Sequence, residues 1–274
     1  MTPPVEFNYS GRKVSIIGYS DQDWIYQLVN KSGTFYEIDL LEYIRYVLQN
    51  KKGLILDIGA NIGNHSVYFG LFAGRSVASF EPNPNVSPIL ECNLSANNVH
   101  HKIYKFGLGS SDGVFEIETP DGMTNNIGAT KLVQKENGLI QVRKLDDVIY
   151  NVANAFSGDD VVAIKADIEG MEAEMLRGAR ATLEKYKPDL FLEISDSQAM
   201  AEIESILYPL GYQKIVSWAS TPVWHFVHSE KYSSGVRIRL LAYISAKKLR
   251  TRIIRQLGKL RGLAKTGDVN YSTP

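Results

Sequence analysis

The sequence contains a single cysteine, Cys92, among 274 residues. One thiol cannot form an internal disulfide, so a disulfide-built fold is excluded and a reducing compartment is expected. No run approaches the 18 apolar residues that a membrane-spanning helix needs, and the starting Met-Thr-Pro-Pro lacks the basic and apolar pattern of a signal peptide. We therefore expect a cytoplasmic protein.

Net charge is zero, but the charges are unevenly spread. Residues 247–265 contain eight Lys or Arg and no acid, which leaves 22 basic and 30 acidic residues elsewhere. An acidic body argues against a catalytic domain that binds nucleic acid. The apolar spacing within 247–265 fits a basic amphipathic helix. Such a helix could lie on an anionic membrane surface or bind a partner; for a cytoplasmic enzyme, the surface would be that of the inner membrane. A solvated, disordered tail is the alternative.

Strand and helix patterns alternate from residue 54 onward, which predicts an α/β fold with a mostly parallel sheet covered on both faces. We expect an N-terminal cap over 1–50, a main domain over 51–246 and a basic tail over 247–274. The cap is predicted to hold a strand at 13–17, a helix opened by Ser20, and a helix at 39–49. The expected strands of the main domain are 54–58, 76–81, 102–108, 161–167, 189–194 and 212–218.

Three further segments of the main domain carry specific expectations. Residues 109–143 break the alternation, with strand-like pieces at 113–118 and 139–143. A helix is expected at 169–184, directly after the strand that ends at Asp167. Strand patterns at 223–228 and 236–245, separated by Ser-Ser-Gly, predict an antiparallel hairpin at the sheet edge.

The turn after strand 54–58 lacks two features of a dinucleotide site. It reads G-A-N-I-G-N rather than G-x-G-x-x-G, and there is no Lys or Arg between Leu54 and Gly74. A nucleoside without phosphate and with a positive centre, such as S-adenosylmethionine, fits better. Glu81 would bind its ribose, the backbone N–H groups of 59–63 its carboxylate, and Asp57 its ammonium group. Gly59 would keep a side chain away from the ligand. The alternative is a tight strand-to-helix turn with no ligand.

Three motifs in order resemble the FkbM family of S-adenosylmethionine-dependent methyltransferases. They are D-I-G-A-N-I-G-N-H-S at 57–66, F-E-P-N-P at 80–84 with Leu90, Asn93 and Asn97 behind it, and K-A-D-I-E-G-M-E-A-E-M-L-R-G-A at 165–179. T-F-Y-E at 34–37 and K-L-D-D at 144–147 are similar to secondary landmarks. The resemblance implies a seven-stranded class I methyltransferase sheet and methyl transfer to oxygen, often a hydroxyl of a sugar, glycan or glycolipid, or of a secondary metabolite. The cofactor residues implied are Asp57, Gly59, Ala60, Asn61, Gly63, Glu81, Pro82 and Asn83.

One departure from the family pattern is Pro88. It would kink the second helix or move the start of that helix to Ser87, which changes the adenosine contacts expected from 83–86.

Three carboxylates are expected to converge beside the transferred methyl group. Asp167 and Glu169 follow one strand and Glu193 ends its neighbour, at the sheet edge where ligands of such folds bind. They could supply a base for the acceptor hydroxyl, orient a sugar, or bind a divalent metal, which is possible but not favoured. We predict Asp167 as the base, with Glu169 and Glu193 orienting. An acid favoured in a first helical turn is the alternative for Glu169.

Other candidate residues have plainer alternatives. His65 could reach the acceptor, or it could be a polar residue of a first helical turn. Residues 122–131 could form an acceptor-binding lid or a variable surface loop. Cys92 is expected to pack in a helix rather than act as a nucleophile. The aromatic residues that could stack on a sugar, or else belong to the core, are Tyr36, Trp218 and Trp224.

Two functions compete with an O-methyltransferase. A non-catalytic module with this fold would act through a protein partner, and would release no S-adenosylhomocysteine with any acceptor. A nicotinamide oxidoreductase is disfavoured by the absent G-x-G-x-x-G, and stabilisation by NAD alone in a thermal-shift assay would favour it.

Overall fold

Apolar strand segments build a seven-stranded sheet at the centre of the protein. The computed structural model describes residues 1–118, 130–218, 222–233 and 235–247. In spatial order, the strands of the sheet are β12 (Tyr212–Trp218), β13 (Val223–His228), β11 (Asp189–Glu193), β10 (Val161–Ala166), β3 (Leu54–Ile58), β4 (Ser76–Phe80) and β5 (His101–Tyr104).

Five of these strands, from β11 to β5, run parallel, whereas β13 is antiparallel to both of its neighbours. Every residue of β3 is buried, as expected for a parallel strand that is covered on both faces. The predicted seven-stranded, mostly parallel sheet is therefore confirmed. Its carboxyl edge carries the ends of β3, β4, β10 and β11, so the residues that follow these strands lie near one another.

Helices connect the strands. Their bounds are α1 (Trp24–Ser32), α2 (Ile38–Leu48), α3 (Asn64–Leu71), α4 (Ser87–Ala96), α5 (Leu145–Asn154), α6 (Glu172–Arg177), α7 (Arg180–Tyr186) and α8 (Ser197–Leu207). The segment predicted as one helix at 169–184 is divided, because α6 begins only at Glu172 and Gly178 separates it from α7. The pattern analysis assigned no element to α5.

The predicted edge hairpin is present but is built from a different pair of strands. β12 pairs with β13, whereas 236–245 lies in a helix, α9, that covers 235–247. Leu240 and Ile244 are buried while Leu241 is exposed. Burial four residues apart is helical spacing, so the short alternation V-R-I-R-L was misleading about this segment.

A second, four-stranded sheet holds the irregular region. Its order is β6 (Gly107–Leu108), β9 (Ile140–Arg143), β7 (Gly113–Glu118) and β8 (Lys131–Gln134). The strand predicted at 102–108 is thus divided between two sheets. Most of the predicted lid, 122–131, lies outside the described residues.

The N-terminal segment is tied to the main domain by amide side chains. It contains a hairpin of β1 (Val5–Tyr9) and β2 (Arg12–Ile16), followed by α1 and α2. Asn93 of α4 bonds both backbone groups of Ile17, and Asn97 does the same for Ser15. Asp23, rather than Ser20, caps α1.

The chain divides into two units, 1–228 and 229–274. No described helix combines the length and apolar composition that a bilayer crossing requires. The basic segment predicted at 247–265 lies, beyond its first residue, outside the described residues, so its membrane contact stays a prediction.

Candidate active site

The turn between β3 and α3 depends on left-handed backbone conformations. Gly59, Asn61 and Gly63 have φ values of +73°, +49° and +90°. A Cβ on Gly59 would lie 1.9 Å from the carbonyl oxygen of Asp167. The glycine at 59 therefore makes room for the loop after β10, while its predicted role of keeping a side chain away from a ligand stays a prediction.

Each backbone N–H of this turn already has a partner within the protein. Those of Gly59 and Ala60 donate to Phe80, and that of Gly63 donates to Ala60. The Asn61 N–H donates to Glu81, and the N–H of the next residue donates to the Asn61 side chain. Binding of the cofactor carboxylate by these groups therefore stays a prediction. The first-turn N–H groups of α3, at 64–66, are the neighbouring donors that a helix leaves without intrahelical partners.

Glu81 lies where a ribose acid is expected, directly after β4. Its two carboxylate oxygens accept hydrogen bonds of 2.9 Å from the backbone N–H groups of Asn61 and Asn83. Burial raises the pKa of Glu81 to about 7, although these bonds act in the opposite direction. Hydrogen bonds from the hydroxyl groups of a ribose would therefore stabilise the ionised form of Glu81, which burial disfavours.

The segment after Glu81 forms an Asx turn that leads into α4. The Asn83 side chain accepts from the Asn85 N–H, and the Asn83 carbonyl accepts from 86 and 87. Pro88 lies in the first turn of α4, which begins at Ser87. Pro82 stays a sequence-predicted cofactor residue. The helix start is thus shifted by the proline, as expected from its lack of an N–H.

A buried lysine, Lys165, links the carboxyl ends of two neighbouring strands, β3 and β10. It stands opposite Asp57 in the β10–β3 register. Its Nζ lies 3.5 Å from Asp57, 3.6 Å from Asp167 and 3.2 Å from the Gly59 carbonyl. Burial alone would lower the pKa of Lys165, but the charges of Asp167 and Asp57 raise it above its ordinary value. Lys165 therefore stays charged in the interior.

Asp57 is buried and makes protein contacts. Ser66 donates to its Oδ2 at 2.5 Å, and Ser66 is in turn 2.8 Å from Ser79. With Lys165 on its other side, Asp57 has no exposed surface from which to contact an ammonium group directly. Sequence reasoning missed Lys165, although a lysine inside the strand V-V-A-I-K-A was the available signal.

The three predicted carboxylates do converge. One oxygen from each of Asp167, Glu169 and Glu193 lies within 4.8 Å of the others. Ala166 pairs with Leu192, so the residues that follow them leave adjacent strands side by side. Three oxygen ligands at this spacing would also suit a divalent cation. Lys165 already places a positive charge beside the cluster, and this charge acts against binding of a second cation.

These carboxyl groups differ in protonation. A hydrogen bond joins Asp167 and Glu193; burial and the neighbouring Asp167 raise the pKa of Glu193 far above its ordinary value. Burial acts against ionisation of Asp167, but Lys165 and the bond from Glu193 hold its pKa below the usual range. The two opposite shifts therefore favour a single proton on the pair at neutral pH, on the side of Glu193.

Glu169 is poised between its two forms. Burial and the charges of Asp167 and Glu172 raise the pKa of Glu169 to about 7. Its φ is +55°, so it lies in a left-handed turn and not in a first helical turn. Glu172 is the acid that begins α6, and it accepts hydrogen bonds from the N–H groups of Ile168 and Gly170. Glu172 thus supports the loop that presents Glu169.

His65 lies in the first turn of α3, against the N-terminal segment. Its Nε2 is 3.3 Å from the carboxylate of Glu37, and its ring is parallel to that of Tyr36 at a centroid distance of 6.2 Å. The structure therefore places His65 beside Glu37, which sequence reasoning missed. The predicted reach of His65 to the acceptor stays a prediction.

The remaining candidates lie elsewhere. His225 of β13, which was not a candidate, is buried beside the first residues of β11, where it contacts Tyr43 and Asp189. Cys92 is exposed on α4, so its predicted packing is wrong. Trp218 packs against Tyr43, and Trp224 lies beneath Lys214.

The sequence matches the profile described as the Methyltransferase FkbM domain over residues 57–214. No curated protein sequence matches the chain.

Among solved structures, it is similar to a methyltransferase FkbM from Methylobacillus flagellatus KT, with 21% identity over 65% of this chain and 44% of that one and a TM-score of 0.47. The chain thus spans less than half of that protein. It is also similar to a precorrin-6y C5,15-methyltransferase from Geobacter metallireducens GS-15, with 13% identity over 69% and 85% and a TM-score of 0.40. A third is TYW2 from M. jannaschii in complex with AdoMet, with 10% identity over 82% and 83% and a TM-score of 0.37.

Proposed function

We propose that this chain transfers a methyl group to a hydroxyl of a polyhydroxylated acceptor. It belongs to the FkbM family of S-adenosylmethionine-dependent methyltransferases. The acceptor would be a sugar, glycan or glycolipid, or a hydroxylated secondary metabolite. The observation that carries the proposal is the carboxylate cluster at the carboxyl edge of the sheet. Its members lie beside the cofactor turn, and one of them, Glu169, has a pKa raised to about 7.

The residues around the turn suit the cofactor. Glu81 offers a buried carboxylate to ribose hydroxyls, and the N-terminus of α3 offers N–H groups to a carboxylate. When bound, the cofactor supplies a methyl group on a cationic sulfur. A site with more carboxylates than cations stabilises a positive ligand, so the acidic surroundings of Lys165 agree with this assignment.

Glu169 is the group that we propose as the base. A hydroxyl that accepts a methyl group must lose its proton, and a base is most effective when its pKa is close to the working pH. Asp167 was the base predicted from the sequence, but Lys165 and Glu193 hold its pKa low and thereby weaken it as a base. Its proposed role is to accept hydrogen bonds that align the acceptor.

The protonated Glu193 has a complementary role. A neutral carboxyl group both donates and accepts hydrogen bonds, whereas Asp167 and an ionised Glu169 only accept. Such a mixed set can orient a molecule that carries several hydroxyl groups. Alignment of this kind supplies much of the acceleration in an in-line displacement, which supports a polyol as the acceptor class.

The deciding experiment is an assay of S-adenosylhomocysteine release over sugar, nucleotide-sugar and glycolipid acceptors. We expect release with at least one neutral polyol. Glu169→Gln should lower that rate about 10²–10⁴-fold, the usual contribution of a positioned base. Glu174→Gln, the same change at an exposed acid of α6, should leave the rate unchanged. A Glu169→Gln enzyme with the wild-type rate would eliminate Glu169 as the base.

Two further arms separate the alternatives. If EDTA abolished release and Mg²⁺ restored it, the carboxylate cluster would be a metal site rather than a base with orienting partners. If the protein bound S-adenosylhomocysteine but released none from S-adenosylmethionine with any acceptor, a non-catalytic module would replace the enzyme.

A further inference from the structure

The segment before α2 is fixed to the first turn of α3. The side chain of Asn64 accepts from the Tyr36 N–H and donates to the Tyr36 carbonyl, both at 3.1 Å. Phe35 is buried beside it. Because Asn64 directly follows the cofactor turn, the position of Tyr36 and its neighbours is set by the same residues that begin α3.

Glu37 has an unfavourable backbone conformation in this segment. Its φ and ψ are 53° and 38°, in the left-handed region that glycine and asparagine tolerate better than glutamate. It is the N-cap residue of α2, yet its side chain makes no capping hydrogen bond. The requirement for a glutamate therefore does not come from the helix start. Strain of this kind is often found at functional sites, where the surrounding structure imposes it.

The carboxylate of Glu37 points to His65. Its Oε2 lies 3.3 Å from Nε2, and the two side chains are only 9% and 8% exposed. Nε2 makes no aligned hydrogen bond to any described residue, Glu37 included, and Glu37 is the carboxylate that lies within salt-bridge distance of it. The negative charge of Glu37 also contributes to the raised pKa of Lys165.

We propose that Glu37 is a positioning residue of the methyl-transfer site. By holding the proton of His65 on Nε2, it leaves the lone pair of Nδ1 for a second hydroxyl of the acceptor. A histidine commonly has its tautomer set by a partner at the opposite nitrogen. This role for the acceptor rests on the proposed function, but the contact between Glu37 and His65 does not.

The first test is long-range ¹H–¹⁵N NMR of the His65 imidazole in the full chain at neutral pH. His65→Gln identifies the signal. We expect the proton on Nε2 in the wild type and a redistribution toward Nδ1 of at least threefold in Glu37→Gln. The matched control is Glu42→Gln, also in the α2 region, where the carboxylate accepts from Tyr9; it should leave the signal unchanged. An unaltered His65 signal in Glu37→Gln would overturn the proposal.

A second variant separates positioning from folding. Glu37→Gly removes the side chain and relieves the left-handed strain. We expect a thermal midpoint equal to or above that of the wild type, together with the altered His65 signal. A lower midpoint with an unaltered His65 signal would assign Glu37 a purely structural role and reject the inference.

The kinetic test follows once an acceptor is known. Glu37→Gln should lower kcat/KM about 10–100-fold, the loss that accompanies removal of a residue which orients a functional side chain. If no acceptor yields S-adenosylhomocysteine, the proposed function fails while the NMR result still decides the contact. If an acceptor is found but Glu37→Gln retains the wild-type kcat/KM, the positioning role fails while the proposed function stands.

Discussion

The two ends of β11 carry acidic residues whose pKa values are shifted in opposite directions. Asp189 begins the strand and Glu193 ends it. At the first end, Lys51 and His225 both bond to Asp189, and Tyr43 donates to the other nitrogen of His225 at 2.7 Å. Burial would raise the pKa of Asp189, but these partners hold it below the usual range.

At the opposite end, Glu193 shares one nearby cation, Lys165, with other carboxylates, and its pKa is raised. A fully partnered charge at one end maintains the structure. The carboxylate cluster at the other end has fewer cations than acids and is available to a ligand. Acids with perturbed pKa values are common in functional sites of this kind. The four predictions that follow test this difference.

The largest effect is expected from Lys165→Met. Removing this cation leaves Asp57 and Asp167 buried without their compensating charge. We expect a loss of about 3–5 kcal/mol in the free energy of unfolding, measured by urea denaturation. Lys102→Met, at an exposed lysine of β5, should change it by less than about 0.5 kcal/mol. Equal stability in the two variants would mean that Lys165 does not balance the cluster.

Asp189→Asn should have the second largest effect. Lys51 and His225 would lose an ionised partner, which typically costs about 1.5–3 kcal/mol of unfolding free energy. Because the site lies at the other end of the sheet, affinity for S-adenosylhomocysteine by calorimetry should not change. Asp147→Asn, at an exposed acid of α5, serves as the control. A large loss of ligand affinity in Asp189→Asn would contradict the separation of the two ends.

The pH dependence of the unfolding free energy should differ between the acids at the two ends of β11. An acid with a raised pKa binds more protons in the folded state than in the unfolded state, so Glu81 and Glu169 should make stability fall as pH rises from about 4.5 to 7. Asp189, whose pKa is lowered, contributes stability above its ordinary pKa and loses it as pH falls through the folded value.

We therefore expect maximum stability near pH 5 in the absence of ligand, measured by chemical denaturation across pH. Glu169→Gln should flatten the slope between pH 5 and 7 by up to about 1.4 kcal/mol per pH unit. Asp189→Asn should instead flatten the acid limb below pH 4. Identical profiles for the two variants would remove the basis of the comparison.

The smallest effect is expected from Glu193→Gln at pH 7. A protonated carboxyl group and an amide have nearly the same shape, and both can donate to Asp167. The unfolding free energy should change by less than about 1 kcal/mol, although the same acid-to-amide change at Asp189 is costly. A clear gain in stability would indicate that Glu193 is ionised and repels Asp167.

Much of the fold was predictable because its signals are local. A buried apolar strand, a glycine-containing turn and an amphipathic helix can each be recognised within about fifteen residues. The strands β3, β4, β10 and β11 were therefore found, as were the acids that follow them. The helix at 235–247 was predicted as a strand because residues 236–240 alternate, and the burial of Leu240 and Ile244 was needed to establish the helical period.

The site was less predictable because its chemistry depends on segments far apart in the chain. The closeness of Asp167 to Gly59 makes the glycine necessary, and the sequence near Gly59 does not contain that information. Lys165 became important only when β3 and β10 were placed side by side. Glu37 belongs to a segment whose position depends on Asn64. The choice between Asp167 and Glu169 as a base rests on the burial of both groups and on the bond from Glu193, which lies on the neighbouring strand.

The bonds from Asn93 to Ile17 and from Asn97 to Ser15 have a consequence for the order of events during synthesis. β2 leaves the ribosome well before α4, yet the groups that complete its outer edge are 76 and 82 residues further along the chain. The edge of the N-terminal hairpin thus stays open to other strands until α4 has been made. During synthesis, the hairpin of β1 and β2 is therefore completed only after the first half of the sheet has been made.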